Sequence, residues 1–256
     1  YTMEYPEFAL DQGKPNENIQ DNKIFIGGRN FIYDFVYLDS AQVPQRVISY
    51  YTYSSKPPVD WKLIADPDLH LMVAEYEVDS IRLKVLNTDA NGNRLAADQT
   101  LMVYEYFNQY GIIIPETELT GLIENSEKIF IHPPRNNGFS ITEMSPFPEL
   151  ELPLEVGKTW STTLSLPQEW SDITKVEFEG TANVYADYTI VGKETLASPF
   201  GKREVWKIEA TGRSNKLGTS KSVFYFHEEI GFLRLHYFNV DDSQIVLNLQ
   251  RVYRES

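Results

Sequence analysis

The sequence predicts an all-β protein with a curved antiparallel meander in its C-terminal half, half-barrel or sandwich-like, and little helix. Three observations carry this expectation. Apolar and polar residues alternate with period two through successive segments of the second half. Clusters of Gly, Pro, Asn, Asp and Ser separate those segments at hairpin spacing. Long stretches of helical periodicity are missing.

Residues 1–21, with Pro6, Gly13 and Pro15 among few apolar positions, read as an extended arm. Lys23–Ile26 and Asn30–Tyr33 flank Gly27-Gly28, a pattern that predicts a tight hairpin because both glycines accept positive φ. Arg46–Tyr53 is rich in β-branched and aromatic residues and reads as a strand. In 80–86, Ile81, Leu83 and Val85 share one face, and Arg82 and Lys84 the other. Residues 101–107 continue in kind after an Asn/Asp/Gly-rich connection. Two short segments, Pro57–Ile64 and Glu116–Asn125, read as candidate helical turns.

The second half reads more cleanly. Lys158–Leu166 places Trp160, Thr162, Leu164 and Leu166 on one side. Val176–Tyr185 and Tyr188–Glu194 read as one long bent strand or two short ones. Glu204–Thr211 alternates Trp206, Ile208 and Ala210 against Val205, Lys207 and Glu209. Residues 222–227, 232–239 and 245–253 complete a meander of about six strands. Its turns fall at Ser198–Gly201, Asn215–Gly218, Glu229–Gly231 and Asp241–Ser243. The proline-rich strap Ser145–Pro153 is the clearest seam, since its prolines forbid helix and disfavour central strand. It suggests two β units, 1–145 and 146–256. One sheet running through both is the alternative.

Composition excludes several function classes. The 256 residues carry a net charge of -14, which disfavours nucleic acid and anionic lipid headgroups as partners, because both demand clustered Lys and Arg. With no cysteine, disulfides, thiolate nucleophiles and zinc–thiolate sites are impossible within these residues. No apolar run is long enough for a transmembrane helix. Aromatic residues make up 13% of the chain, enough to suggest that one strand face is neither ordinary core nor ordinary surface.

Local signatures of chemistry are sparse. Asn87, Asp89, Asn91, Gly92 and Asn93 match the early spacing of a calcium loop, and Asp98 falls at position 12. A plain hairpin turn accounts for the same residues. His227-Glu228-Glu229 opens like a metalloprotease motif, but Gly231 stands where the second His belongs. His227 and His236 lie on consecutive expected strands, where a two-His site with Glu229 is conceivable. Gly218–Ser222 lacks the second glycine of a nucleophile elbow. No catalytic residue, cofactor or phosphate-cradling loop is assigned. Paired carboxylates for hydrolysis stay open among 37 acids.

From His132 to Val252 the order of motifs is distinctive. It runs Ile131-His132-Pro133-Pro134-Arg135, then Val156-Gly157-Lys158-Thr159-Trp160 and Val191-Gly192-Lys193-Glu194. Pro199-Phe200-Gly201, the strand Glu204–Ile208 and Gly231-Phe232-Leu233 follow. This order resembles uncharacterised Gram-negative envelope proteins, often lipoproteins, whose antiparallel sheet curls into a half-barrel. The resemblance implies a periplasmic or lipid-anchored location, with signal and anchor residue outside the residues given. A signal sequence ending in cysteine just before Tyr1 would mark such an anchor. Half-barrels of this shape include carriers of lipid or acyl chains, which lay helices across the concave face. No such long helix is visible here.

The expected function is non-enzymatic binding of an apolar ligand, lipid or acyl chain on the curved β face. Trp160, Leu164, Trp206, Ile208, Phe224 and Phe226 are its candidate residues; ordinary core is the competing reading. A surface module for a glycan or an envelope protein is the alternative, and a carboxylate-dependent hydrolase the second.

Overall fold

The structure is a computed structural model describing residues 22–50, 60–65, 77–86 and 99–255. Its strands are β1 (Arg29–Leu38), β2 (Pro44–Tyr50), β3 (Asp60–Ile64), β4 (Ser80–Val85), β5 (Thr100–Phe107), β6 (Ile113–Glu124) and β7 (Lys128–Ile131). After a 3₁₀ segment, Asn137–Met144, come β8 (Glu149–Glu151) and β9 (Thr159–Leu166). A short helix, α1 (Glu169–Thr174), precedes β10 (Ala182–Ser198), β11 (Gly201–Ser214), β12 (Gly218–His227), β13 (Gly231–Phe238) and β14 (Gln244–Arg254).

Antiparallel pairing runs β8-β7-β6-β5-β4-β1-β14-β13-β12-β11-β10-β9, with β2 pairing the end of β1 and β3 pairing β2. The sheet curls into a nearly closed barrel. The expected meander is β9 to β14. β1 lies between β4 and β14, so the 1–145 and 146–256 units share one sheet and one core cluster. Among the described residues no helix is long and apolar enough to cross a membrane.

Alternation places the core. On β4, Ile81, Leu83 and Val85 are fully buried while Arg82 and Lys84 stay partly exposed. On β12, Ser220, Ser222, Phe224 and Phe226 point inward. Each large apolar side chain so buried contributes about 1.5–3 kcal/mol. Phe224, Phe226, Phe232 and Tyr237 meet edge to face, the arrangement aromatic quadrupoles favour.

Several local expectations are corrected. Lys23–Ile26 is no hairpin strand: Gly27-Gly28 makes a turn, but the segment before it caps one barrel end. There the Glu124 carboxylate accepts the backbone N–H groups of Lys23, Ile24 and Phe25 at 2.8–2.9 Å. Gly231, at φ +100°, lies under this cap, and a Cβ would sit 3.1 Å from Ile24 Cγ2. Asp60–Ile64 is strand, not helix, because β2 offers it a ladder (Ser49 opposite Trp61). Glu116–Glu124 is also strand, registered on β5 with Tyr104 opposite Glu118. In these short segments tertiary pairing outweighs local propensity. Residues 176–181 are irregular, and β10 is one long strand with a bulge between Ile190 and Gly192.

Candidate functional site

Between β7 and β8 the chain leaves the sheet and turns into the barrel. Pro133, Pro134, Pro146 and Pro148 lack the N–H that a ladder needs, so residues 132–148 cannot continue a central strand. Asn137 adopts φ +45° and opens the 3₁₀ segment. Phe139, Ile141 and Met144 are buried in the main core. Phe139 stacks on Tyr106 at 5.7 Å and meets Phe35 and Trp61 edge-on. The segment is an internal insert.

Side chains of the barrel wall grip the insert's backbone. Ser220 Oγ donates to Met144 O (3.2 Å), Ser222 Oγ to Pro146 O (2.9 Å) and Tyr188 OH to Phe147 O (3.2 Å). Opposite them, Tyr104 OH donates to His132 O at 2.6 Å. Ser145 Oγ bonds Asn239 Oδ1 at 3.1 Å. These bonds satisfy carbonyls that would otherwise be buried without partners, at a cost of about 1–3 kcal/mol each. Gly212 makes room for the crossing, since a Cβ there would lie 3.2 Å from Pro146 Cδ and 2.9 Å from Val184 Cγ1.

A charge cluster sits where the insert meets β6. Arg135 donates its backbone N–H to Glu118 Oε2 (2.9 Å) and its Nε to Glu118 Oε1 (3.1 Å). Its Nη1 reaches Glu143 Oε1 at 3.3 Å. Glu143 Oε2 lies 3.7 Å from His132 Nδ1. The Glu118 and Glu143 side chains are 5% and 0% exposed, and that of Arg135 is 20% exposed. Two carboxylates thus share one guanidinium out of water. Burial pushes Glu143 up to about 7, with Arg135 pulling it down and Glu118 adding to the rise. Burial also raises Glu118, against the opposing pull of Arg135. For Arg135 burial acts downward, but the two carboxylates outweigh it and raise the pKa. His132 is held well below its usual range by burial and by the positive charge of Arg135.

The six residues expected to form a ligand face lie along the inner side of β9, β11 and β12. Ile208 pairs with Phe224, and Trp206 with Phe226. Trp160 stacks on Tyr188 at 5.1 Å, with planes 9° apart. Leu164 packs with Ile123, Phe130 and Phe147, the last from the insert. Ile208, Phe224 and Phe226 are buried in the main core. Trp206 reaches the rim, where its Nε1 donates to Glu228 at 2.8 Å and the Lys193 ammonium lies 4.3 Å from its ring centroid.

Asn87, Asp89, Asn91 and Asp98, the calcium candidates, lie outside the described residues, as do Tyr51 to Tyr53 and His70. His227 and His236 are not brought together. His227 pairs with Gly231 and His236 with Val223. His236 Nε2 lies 2.9 Å from Gln244 Oε1. Among the described residues no group of three or more His, Asp or Glu is placed to hold a metal ion.

Sequence reading did not single out Glu118, Arg135 and Glu143 as a site. One signal was present. On β6 the alternation is inverted: Glu118 and Thr120 face inward while Leu119 is exposed. An acid on the core side of a strand demands a buried partner, and the Arg of the His-Pro-Pro-Arg motif supplies it.

The molecule is therefore a nearly closed antiparallel barrel filled by its own internal insert. Solved structures similar to it include a candidate exported protein with a YmcC-like fold from Bacteroides fragilis (TM-score 0.42, 11% identity, 89% of this chain and 96% of that one). Another is a candidate lipoprotein from Parabacteroides distasonis (TM-score 0.46, 11% identity, 91% and 100%). A third is the hypothetical lipoprotein YmcC from Escherichia coli (TM-score 0.35, 7% identity, 92% and 92%). No family model and no curated protein matches the chain.

Proposed function

We propose that this is a non-enzymatic protein of the Gram-negative envelope that acts through its outer surface, as an interaction module for another envelope protein. The observation that carries this reading is the filled interior. Phe139, Ile141, Met144 and Phe147 occupy the space against the inner wall that an acyl chain would need. Wall hydroxyls that a ligand would use are already bonded to insert carbonyls. The one pair of carboxylates in the cluster, Glu118 and Glu143, is sealed from solvent and bridged by Arg135, a poor arrangement for attacking a substrate.

The outer surface offers an ordered apolar tip. In the β5–β6 turn, Asn108 Oδ1 accepts the backbone N–H groups of Tyr110 and Ile112 at 3.0 and 2.9 Å. The turn's backbone is thereby ordered, and the Tyr110 and Ile112 side chains stand in water, 63% and 60% exposed. With the turn's backbone already held, less ordering entropy is left to lose when the exposed pair is covered.

Two measurements test the reading together. Titration with a sixteen-carbon fatty acid is expected to show no saturable binding. A photocrosslinker placed at Ile112 in cells of the source bacterium is expected to give a discrete protein adduct, absent when it is placed at Tyr185 on the barrel wall. Saturable fatty-acid binding without an adduct overturns the proposal.

A further inference from the structure

We propose that residues 132–148 are a proton-sensitive insert, seated in the barrel by the Glu118–Arg135–Glu143 cluster and loosened from the inner wall as that cluster loses a proton. The geometry supplies the reason. One guanidinium faces two carboxylates, so the fully ionised cluster carries an uncompensated negative charge in the interior. Protonating one carboxylate leaves a neutral, hydrogen-bonded set. A buried charge without a partner is costly, and once the proton is gone the insert relieves it by moving its own members, Arg135 and Glu143, toward water.

Among the described residues, titratable groups reach the cluster from several elements. The insert contributes Arg135 and His132, and β6 contributes Glu118. From β5, Tyr106 OH reaches Glu118 Oε2 at 3.4 Å. From α1, the Trp170 ring lies 6.0 Å from the Arg135 guanidinium and the Ile173 carbonyl accepts from Ser140 Oγ. On the far side the insert meets the hydroxyls of Ser220, Ser222 and Tyr188 and the amide of Asn239, and the Glu149 carboxylate is close enough to add to burial in raising the Tyr188 phenol. Glu118 accepts from Arg135 twice and lies within reach of Tyr106 OH, whereas Glu143 takes one Arg135 donor at 3.3 Å, so Glu143 is the carboxylate that holds the extra proton, and His132 stays neutral beside it.

The sign follows from linkage. Glu143 titrates at about 7 in the seated insert, above an exposed glutamate at 4.5. The seated state therefore binds the extra proton, and its advantage is lost as pH rises through about 7. With those two values, the opening equilibrium rises by about tenfold between pH 6 and pH 8.

Native-state hydrogen exchange on the full chain, corrected for intrinsic rates, reads this opening. Amides of Phe139 to Ser145 are expected to open about tenfold more often at pH 8 than at pH 6, and those of β11 and β12 to show no comparable change. In Glu143→Gln the insert's rise is expected to vanish, and in His132→Gln to persist. A wild-type profile flat in pH overturns the proposal, and needs no variant to fold. So does an undiminished rise in Glu143→Gln, or its loss in His132→Gln.

Discussion

Arg135 holds Glu118 by two donors at once, its backbone N–H at 2.9 Å and its side-chain Nε at 3.1 Å. The pair ties the start of the insert to β6, and through Nη1 the same guanidinium steadies Glu143 on the 3₁₀ segment. Replacing Arg135 with Met leaves two buried carboxylates without their cation. The expected loss is about 3–5 kcal/mol at pH 8, measured by urea denaturation. The loss is expected to shrink at pH 5, where raised carboxylates take up protons.

Glu143→Gln keeps an acceptor for Arg135 and removes the charge that resists burial. Its folded-state pKa of about 7 is raised, so the stability linked to its proton is present below the ordinary Glu range and fades as pH passes 7. The variant is expected to melt above wild type at pH 8 and close to it at pH 5. Thermal unfolding at the two pH values checks this.

The wall hydroxyls of β12 carry a separate expectation. Ser220→Ala and Ser222→Ala each remove a donor and leave a buried carbonyl of Met144 or Pro146 unsatisfied. Each is expected to cost about 1–3 kcal/mol. The two sites hold the same strap, so the double variant is expected to depart from additivity in a mutant cycle.

Gly212 marks the closest approach of strap and sheet. A methyl there meets Ser220 Oγ and Val184 Cγ1 at 2.9 Å and Pro146 Cδ at 3.2 Å. Gly212→Ala is expected to destabilise by about 1–3 kcal/mol through overpacking. Ser220→Ala in the same background removes the struck hydroxyl and so separates this clash from loss of its hydrogen bond to Met144.

Much of the fold is legible in the sequence where one strand face is buried and the other wet. Ile81, Leu83 and Val85 alternate with Arg82 and Lys84, and β4 follows. The same holds for most of β9 to β14, whose turns fall at the expected Gly, Pro, Asn and Asp clusters; on β11 it slips at Val205, buried where an outward residue was expected, beside the bulge opposite Ile208 and Lys207. Short segments with weak alternation are not legible. Asp60–Ile64 and Glu116–Glu124 become strands because β2 and β5 offer ladders, information that lies far along the chain. The insert is half legible: its prolines announce a break from the sheet, but nothing local says that the broken segment turns inward. The inner wall of Ile208, Phe224 and Phe226 was legible as one face. Phe139 and Met144 of the insert join the same core cluster, and no period-two pattern connects them to that wall.

Whether the barrel is filled by its own chain or carries a guest is read by gentle native mass spectrometry of freshly purified protein, followed by solvent extraction. A mass equal to the polypeptide alone, with no lipid in the extract, is the expected result. A reproducible excess that extracts as lipid would contradict it, because an acyl chain would then occupy the space assigned to residues 132–148.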